Sequence, residues 1–245
     1  KGVTIEVEEI PGPDAYSNKM KILISSGALP NVIQNTGANL LELGAKSGKL
    51  ADLTPYFNAD TEWKASFEQK ALDYNSVDGK IYGVPLGKEM THIFYNKELF
   101  KKAGVDIPQT WDDFFEVCDK LKAAGITPMG LDTNDYAWIT SLMLGAMIGT
   151  DGENGNKFMN TKYPKDYNIP EAIRAVGNIQ KLFKGYTTKD AVASNFDVAA
   201  THFFKDQVAM IANGPWMIPD FKNKEKAPDG FYNKIGVFAY PGNAV

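Results

Sequence analysis

Residues 208–216 read Val208-Ala209-Met210-Ile211-Ala212-Asn213-Gly214-Pro215-Trp216. The apolar run over residues 208–211 is short enough for a strand and has no polar face, which marks a buried strand. Asn213 and Gly214 form a turn, and Pro215 suits the first position of a helix because its fixed φ is pre-set and its missing N–H would be unpaired there anyway. A strand that turns straight into a helix, with an aromatic residue at the junction, is the unit from which α/β proteins are built.

The same alternation extends outward. Residues 196–204 predict a helix. Before them, a helix starts at Pro170, carries Ile173, Val176, Ile179 and Phe183 on its inner face and stops at Gly185. Residues 150–167 read as a loop, 138–148 as an apolar helix with little polar face, and 126–131 as a strand. Thr110 is the expected N-cap of a helix whose stripe is Phe114, Cys118 and Leu121 and whose stop is Gly125. Residues 91–95 predict a strand, followed by a short helix that breaks at Gly104. Asp78-Gly79 between residues 74–77 and 80–84 is a hairpin signal. Near the start, Val3, Ile5 and Val7 alternate with Thr4, Glu6 and Glu8, the period of a strand with one buried face. Asp14 is then placed to cap a helix with Tyr16, Met20 and Leu23 on one face and a stop at Gly27. A strand at residues 31–34 follows, and Asn35, Thr36 and Gly37 lead into a helix ending at Gly48.

Composition narrows the function. With 245 residues, 44% hydrophobic and 23% charged, the chain can bury a sizeable core as one large domain or two lobes. The longest apolar stretch, near residues 142–148, is far short of the ~20 residues that span a bilayer. A net charge of −4, with lysines scattered among acidic residues, argues against a nucleic-acid partner. Arg174 is the only arginine, which limits bidentate recognition of carboxylates and phosphates and points to an uncharged ligand. The single cysteine, Cys118, permits no internal disulfide, and its place on an apolar stripe reads as core. Lys1 in place of Met, with no apolar leader after it, implies that an export signal was removed or never existed.

Catalytic signatures are missing: there is no G-x-S-x-G, P-loop, H-E-x-x-H or G-x-G-x-x-G pattern. His92 and His202 stand far apart without cysteine partners, so neither a metal nor another cofactor is expected. Residues 151–156 superficially resemble a calcium loop, but the glycine is early and Lys162 stands where the closing glutamate belongs, which favours a solvated turn. Asp112-Asp113 begins a helix, where acidic residues complement the dipole without any catalytic role.

An aromatic constellation is more informative. Tyr136, Trp138 and Trp216 fall at predicted junctions between a strand and the next helix, where ligands of open α/β sheets gather. A flat Tyr or Trp face matches the C–H face of a sugar ring, and neighbouring Asn and Asp groups, Asn213 among them, suit its hydroxyls.

With these residues in view, the chain resembles the extracellular solute-binding proteins of carbohydrate ABC transporters, the group that includes maltose-binding protein. The segments that carry the resemblance are Gly27-Ala28-Leu29-Pro30-Asn31-Val32, Asp78-Gly79-Lys80-Ile81-Tyr82-Gly83-Val84-Pro85, Tyr95-Asn96-Lys97-Glu98-Leu99-Phe100, Pro108-Gln109-Thr110-Trp111 and Ala209-Met210-Ile211-Ala212-Asn213-Gly214-Pro215-Trp216.

The resemblance implies an α/β fold of periplasmic-binding-protein type II with two lobes, cut short of the family pattern at both ends. Residues 1–90 would be an N-terminal lobe lacking its first strand and returning segment, 91–245 the C-terminal lobe, and 86–92 the first crossover. It further implies a non-enzymatic, extracytoplasmic monomer, in the periplasm or on the cell surface as a lipoprotein, that hands a carbohydrate to a membrane-embedded ABC permease. Thr36 and Asn39 would line the first lobe, Glu89 the hinge, Tyr136 and Trp138 the second lobe, and Trp216 its stacking floor. Asn31, where the family commonly has Asp, and Asn39, where it has a charged residue, depart from the pattern. The alternatives are a binding protein for a peptide or polyamine, and a glycan-acting enzyme with Glu89 as its acid.

Overall fold

The computed structural model describes residues 2–10, 13–134 and 136–243. The chain divides into two compact units, Lys1–Lys88 and Glu89–Val245.

In the first unit the helices are α1 (Pro13–Ser26), α2 (Ala38–Lys46), α3 (Thr54–Ala59), α4 (Thr61–Ala65) and α5 (Gln69–Tyr74), followed by strands β1 (Ser76–Val77) and β2 (Lys80–Ile81). The hairpin forms where Asp78-Gly79 marks it. Val77 pairs with Lys80 in antiparallel register, and both turn residues take positive φ, 50° at Asp78 and 78° at Gly79, as a type I′ turn demands. The strands are shorter than expected, because Tyr74 completes α5. Gly27 ends α1 as read, while the side chain of Asp14, the expected cap, lies outside the described residues. Packing here is divided among small clusters: Met20, Ile24 and Leu40; Leu41, Ala45 and Val77; and Phe57, Leu72 and Ile81.

Two expected strands are not formed. Residues 2–10 and 32–36 carry no regular structure, and Val3, Ile5 and Val7 are exposed. Alternation supplies a strand with an apolar face, but a strand also needs a neighbour for its N–H and C=O groups. The only sheet partners in this unit are β1 and β2, which pair with each other among the described residues.

The second unit runs β3 (His92–Asn96), α6 (Lys97–Ala103), α7 (Trp111–Ala123), β4 (Thr127–Met129), α8 (Trp138–Gly149), α9 (Gly152–Met159), α10 (Pro170–Gly185), α11 (Phe196–Phe204), β5 (Val208–Asn213), a 3-10 helix (Pro215–Lys222), α12 (Phe231–Lys234) and β6 (Ile235–Phe238). Its four strands order as β4-β5-β3-β6. β4 and β5 are parallel, while β3 is antiparallel to both its neighbours, β5 and β6. All six residues of β5 are buried, in keeping with its inner place in the sheet. Helices α6 and α7 begin as the sequence reads. Asn96 Oδ1 accepts from the amides of Glu98 and Leu99, and Thr110 Oγ1 accepts from Asp113 N at 3.1 Å while the Asp113 carboxylate accepts from Thr110 N at 2.9 Å, a complete capping box. Cys118 is buried with Phe114 and Leu121, and burial pushes its thiol up, so it is an inert core group.

Two expectations are corrected. Residues 150–167 are not all loop: Gly152–Met159 is helical, and what was read as a solvated turn at 151–156 is the start of that helix. Asp151 holds Arg174 Nε at 2.7 Å and Asn243, so tertiary partners fix a segment whose composition reads as irregular. In α10 the inner face is Glu171, Ala172, Ala175 and Leu182, whereas Ile173 and Val176 are 58% and 47% exposed. Helices α8 and α9 pack on α10; Ile173 and Val176 are rotated outward, while Ile179 and Phe183 are half-buried against the core, as expected.

Candidate functional site

In a mixed sheet, direction decides which ends share an edge. β4 and β5 run parallel, so the segments leaving their carboxyl ends emerge together. The β4 exit leads through residues 130–137 to Trp138, the first residue of α8, and the β5 exit leads through Gly214 and Pro215 to Trp216. β3 is antiparallel to β5 and its His92 lies opposite Asn213, so the segment entering β3, with Glu89 three residues before His92, reaches the same edge.

The two indoles meet there. Their ring centroids are 6.1 Å apart with planes inclined at 55°, and Trp138 and Trp216 remain 40% and 43% exposed, with Tyr136 at 57%. The Trp216 ring lies flat over the Gly214 backbone. A Cβ added to Gly214 would stand 2.2 Å from two ring carbons, so only glycine admits this placement.

Asn213 joins the pair, but not in the expected role. It is fully buried; its Oδ1 accepts from Trp138 Nε1 at 3.2 Å and from Gly214 N at 2.9 Å, and its Nδ2 faces Met217 Sδ at 3.3 Å. With its polar atoms engaged beneath the indoles, Asn213 aims Trp138 rather than offering a group to a ligand. Trp138 and Trp216 are thus brought together at one edge, Tyr136 is exposed two residues before Trp138, and Glu89 is exposed in the segment that enters β3. Thr36 and Asn39 lie in the first unit, both exposed, just before and within the first turn of α2.

Sequence reading missed Asp132. It is buried, and its Oδ1 accepts from the amides of Ile139 at 3.0 Å and Thr140 at 3.2 Å, so it caps α8 from outside the usual N-cap position. Burial pushes its carboxyl up, against the downward pull of the α8 amides. The neighbouring segment 187–195 braces the same loop: Ser194 O accepts from Thr133 N at 3.1 Å and Asn134 N at 2.9 Å, and Ala193 N donates to Thr133 Oγ1 at 2.7 Å. Among the described residues no group of three or more His, Cys, Asp or Glu side chains is placed to hold a metal.

His202 of α11 holds that bracing segment. Its Nε2 lies 2.8 Å from Asp190 Oδ2 and its Nδ1 2.5 Å from Gln207 Oε1, an arrangement in which both ring nitrogens donate, as in imidazolium. Burial pulls the His202 pKa down, but the hydrogen bonds to Gln207 and Asp190 outweigh it and leave it raised. The folded state therefore binds this proton more tightly than the unfolded chain. The resulting stability is fully present below the ordinary histidine pKa of about 6.5 and is lost as pH rises through the raised value. The melting temperature is expected to fall as pH rises above about 6.5, and His202→Gln to flatten that slope in thermal melts. The same slope in both proteins would remove His202 as its source.

A family model described as "Bacterial extracellular solute-binding protein" matches residues 1–244. The multiple sugar-binding protein of Streptococcus mutans is 26% identical over 254 residues, a match covering 97% of this chain and 56% of the relative. Among solved structures, RafE of Streptococcus pneumoniae in complex with raffinose is 27% identical with a TM-score of 0.69, covering 96% of this chain and 60% of that one. A chitin oligosaccharide binding protein superposes with a TM-score of 0.76 at 24% identity, covering 93% and 56%. The fold is thus the mixed α/β fold of these binding proteins, and the chain spans a little over half the length of the relatives it matches. Among the described residues no helix is long and apolar enough to cross a membrane.

Proposed function

This chain belongs to the bacterial extracellular solute-binding protein family, and from that premise we propose that it captures a mono- or oligosaccharide for delivery to a membrane-embedded ABC permease. The observation that carries the ligand class is the pair of half-exposed indoles at the carboxyl edge of the sheet, Trp138 and Trp216, 6.1 Å apart and mutually inclined. Flat faces set at an angle suit the C–H faces of a bent glycan. Trp216 is the floor, Trp138 and Tyr136 extend it, and Thr36, Asn39 and Glu89 carry hydrogen-bonding groups for sugar hydroxyls. The sugars named for the similar proteins support a neutral carbohydrate. Residues 1–90 and 91–245 are read as the two lobes of a monomeric binding protein that works outside the cytoplasm, in the periplasm or on the cell surface as a lipoprotein.

Titrating the full-length protein with raffinose and with malto-, xylo- and chito-oligosaccharides, followed by tryptophan fluorescence, tests the reading. Saturable change with at least one glycan, and no product on chromatography, is expected. Silence across the panel with a response to a peptide or polyamine would replace the ligand class, and glycan cleavage that needs Glu89 would replace binding by catalysis.

A further inference from the structure

We propose that Asp132 is a positioning residue for the aromatic platform: its buried carboxylate ties the neck of the loop that carries Tyr136 and delivers Trp138 to Asn213. The inference rests on the carbohydrate-binding reading of that platform for its consequence, but its geometry stands on this chain alone. A helix usually takes its cap from the residue just before its first turn. In α8 that residue is Ala137, which has no side-chain oxygen to offer and sits at φ 46°, ψ 53°, a left-handed conformation that costs a non-glycine residue about 1 kcal/mol or more. The cap comes instead from Asp132, across seven residues to Ile139 and eight to Thr140.

A second bond closes the same neck, Thr140 Oγ1 donating to Asp132 O at 2.6 Å. The two ends of the connection into α8 are thereby held together, with Tyr136 exposed beyond the neck and Trp138 at its base. Ala137 N donates to Asn134 O at 2.9 Å within the loop, and Ser194 O grips Thr133 and Asn134 from outside. Asp132 thus sets the start of α8, and the start of α8 sets where the Trp138 indole N–H meets Asn213 Oδ1.

Four variants of the full-length protein, labelled with 15N at the indoles, test this. Trp138→Phe assigns the Trp138 resonance. Asp132→Ala is expected to shift that resonance, speed its hydrogen exchange and weaken binding of the responding glycan about fivefold, at a temperature where circular dichroism shows folded protein. Asp132→Asn keeps one acceptor oxygen and restores all three properties. Ala137→Gly guards against a misfolded alanine variant. Glycine accepts the positive φ, so the melting temperature holds or rises, while the loosened loop still speeds exchange at Trp138. An unchanged Trp138 resonance and exchange rate in both Asp132→Ala and Ala137→Gly would overturn the positioning role. A resonance that moves in a protein that binds no glycan upholds the positioning role and sinks the carbohydrate reading instead.

Discussion

Trp216→Ala is expected to weaken glycan binding about tenfold or more. The indole rests one face on Gly214, where no Cβ fits, and is 43% exposed. Covering the exposed part of such a ring removes on the order of 100 Å² of apolar surface from water, worth about 2 kcal/mol, and tenfold in affinity corresponds to about 1.4 kcal/mol. Trp216→Phe retains part of the face and is expected to fall between. Trp63 is the control. It too is partly exposed, but its ring already stacks on Phe57 at 4.2 Å and 4°, so Trp63→Phe leaves affinity unchanged. Calorimetric titration of the three variants with the responding glycan measures the ratio, and equal affinity for Trp216→Ala and the parent would remove the ring from the site.

The second large effect concerns stability, and the same substitution at two glycines is expected to act with opposite sign. Gly155 is buried in α9, and a Cβ there would stand 2.0 Å from Ile148 O and 3.1 Å from its carbonyl carbon. These are backbone atoms at the end of α8 and do not swing aside. Replacing a helical glycine with alanine gains about 1 kcal/mol in propensity, but forcing backbone apart costs about 3 kcal/mol. The clash wins, and Gly155→Ala is expected to destabilise by about 2 kcal/mol. Gly177, exposed within α10, has nothing within 4 Å of its added Cβ, so Gly177→Ala keeps the propensity gain of up to about 1 kcal/mol. Urea denaturation of the two variants reads both signs, and destabilisation by both would show that propensity and space were misjudged here.

The contrast shows how far the chain can be read without its fold. Features closed by near neighbours were legible: the hairpin at Asp78-Gly79, the N-cap at Thr110 and the bounds of the helix at 196–204, where the groups that must be satisfied lie within a few residues of one another. The run that became β5, whose partners β3 and β4 are distant in sequence, was legible from its unbroken apolar character. The aromatic junctions were legible as well, because a strand that runs into a helix places its exit at a known end of a sheet.

What failed needed a distant partner. Val3, Ile5 and Val7 have strand periodicity without a described neighbour to pair with, and α10, on which α8 and α9 pack, turns Ile173 and Val176 outward. Asn213 looked like a ligand group until burial beneath Trp138 made it a support. Asp132 gave no local signal, since its acceptors serve amides seven and eight residues away. Alternation, caps and turns are set by the chain within a turn or a hairpin, so the order of elements, an α/β class and the aromatic edge follow from residue order alone. Which faces are buried, which polar groups bind and which merely brace depend on packing between residues far apart in sequence, and only the folded chain brings those together.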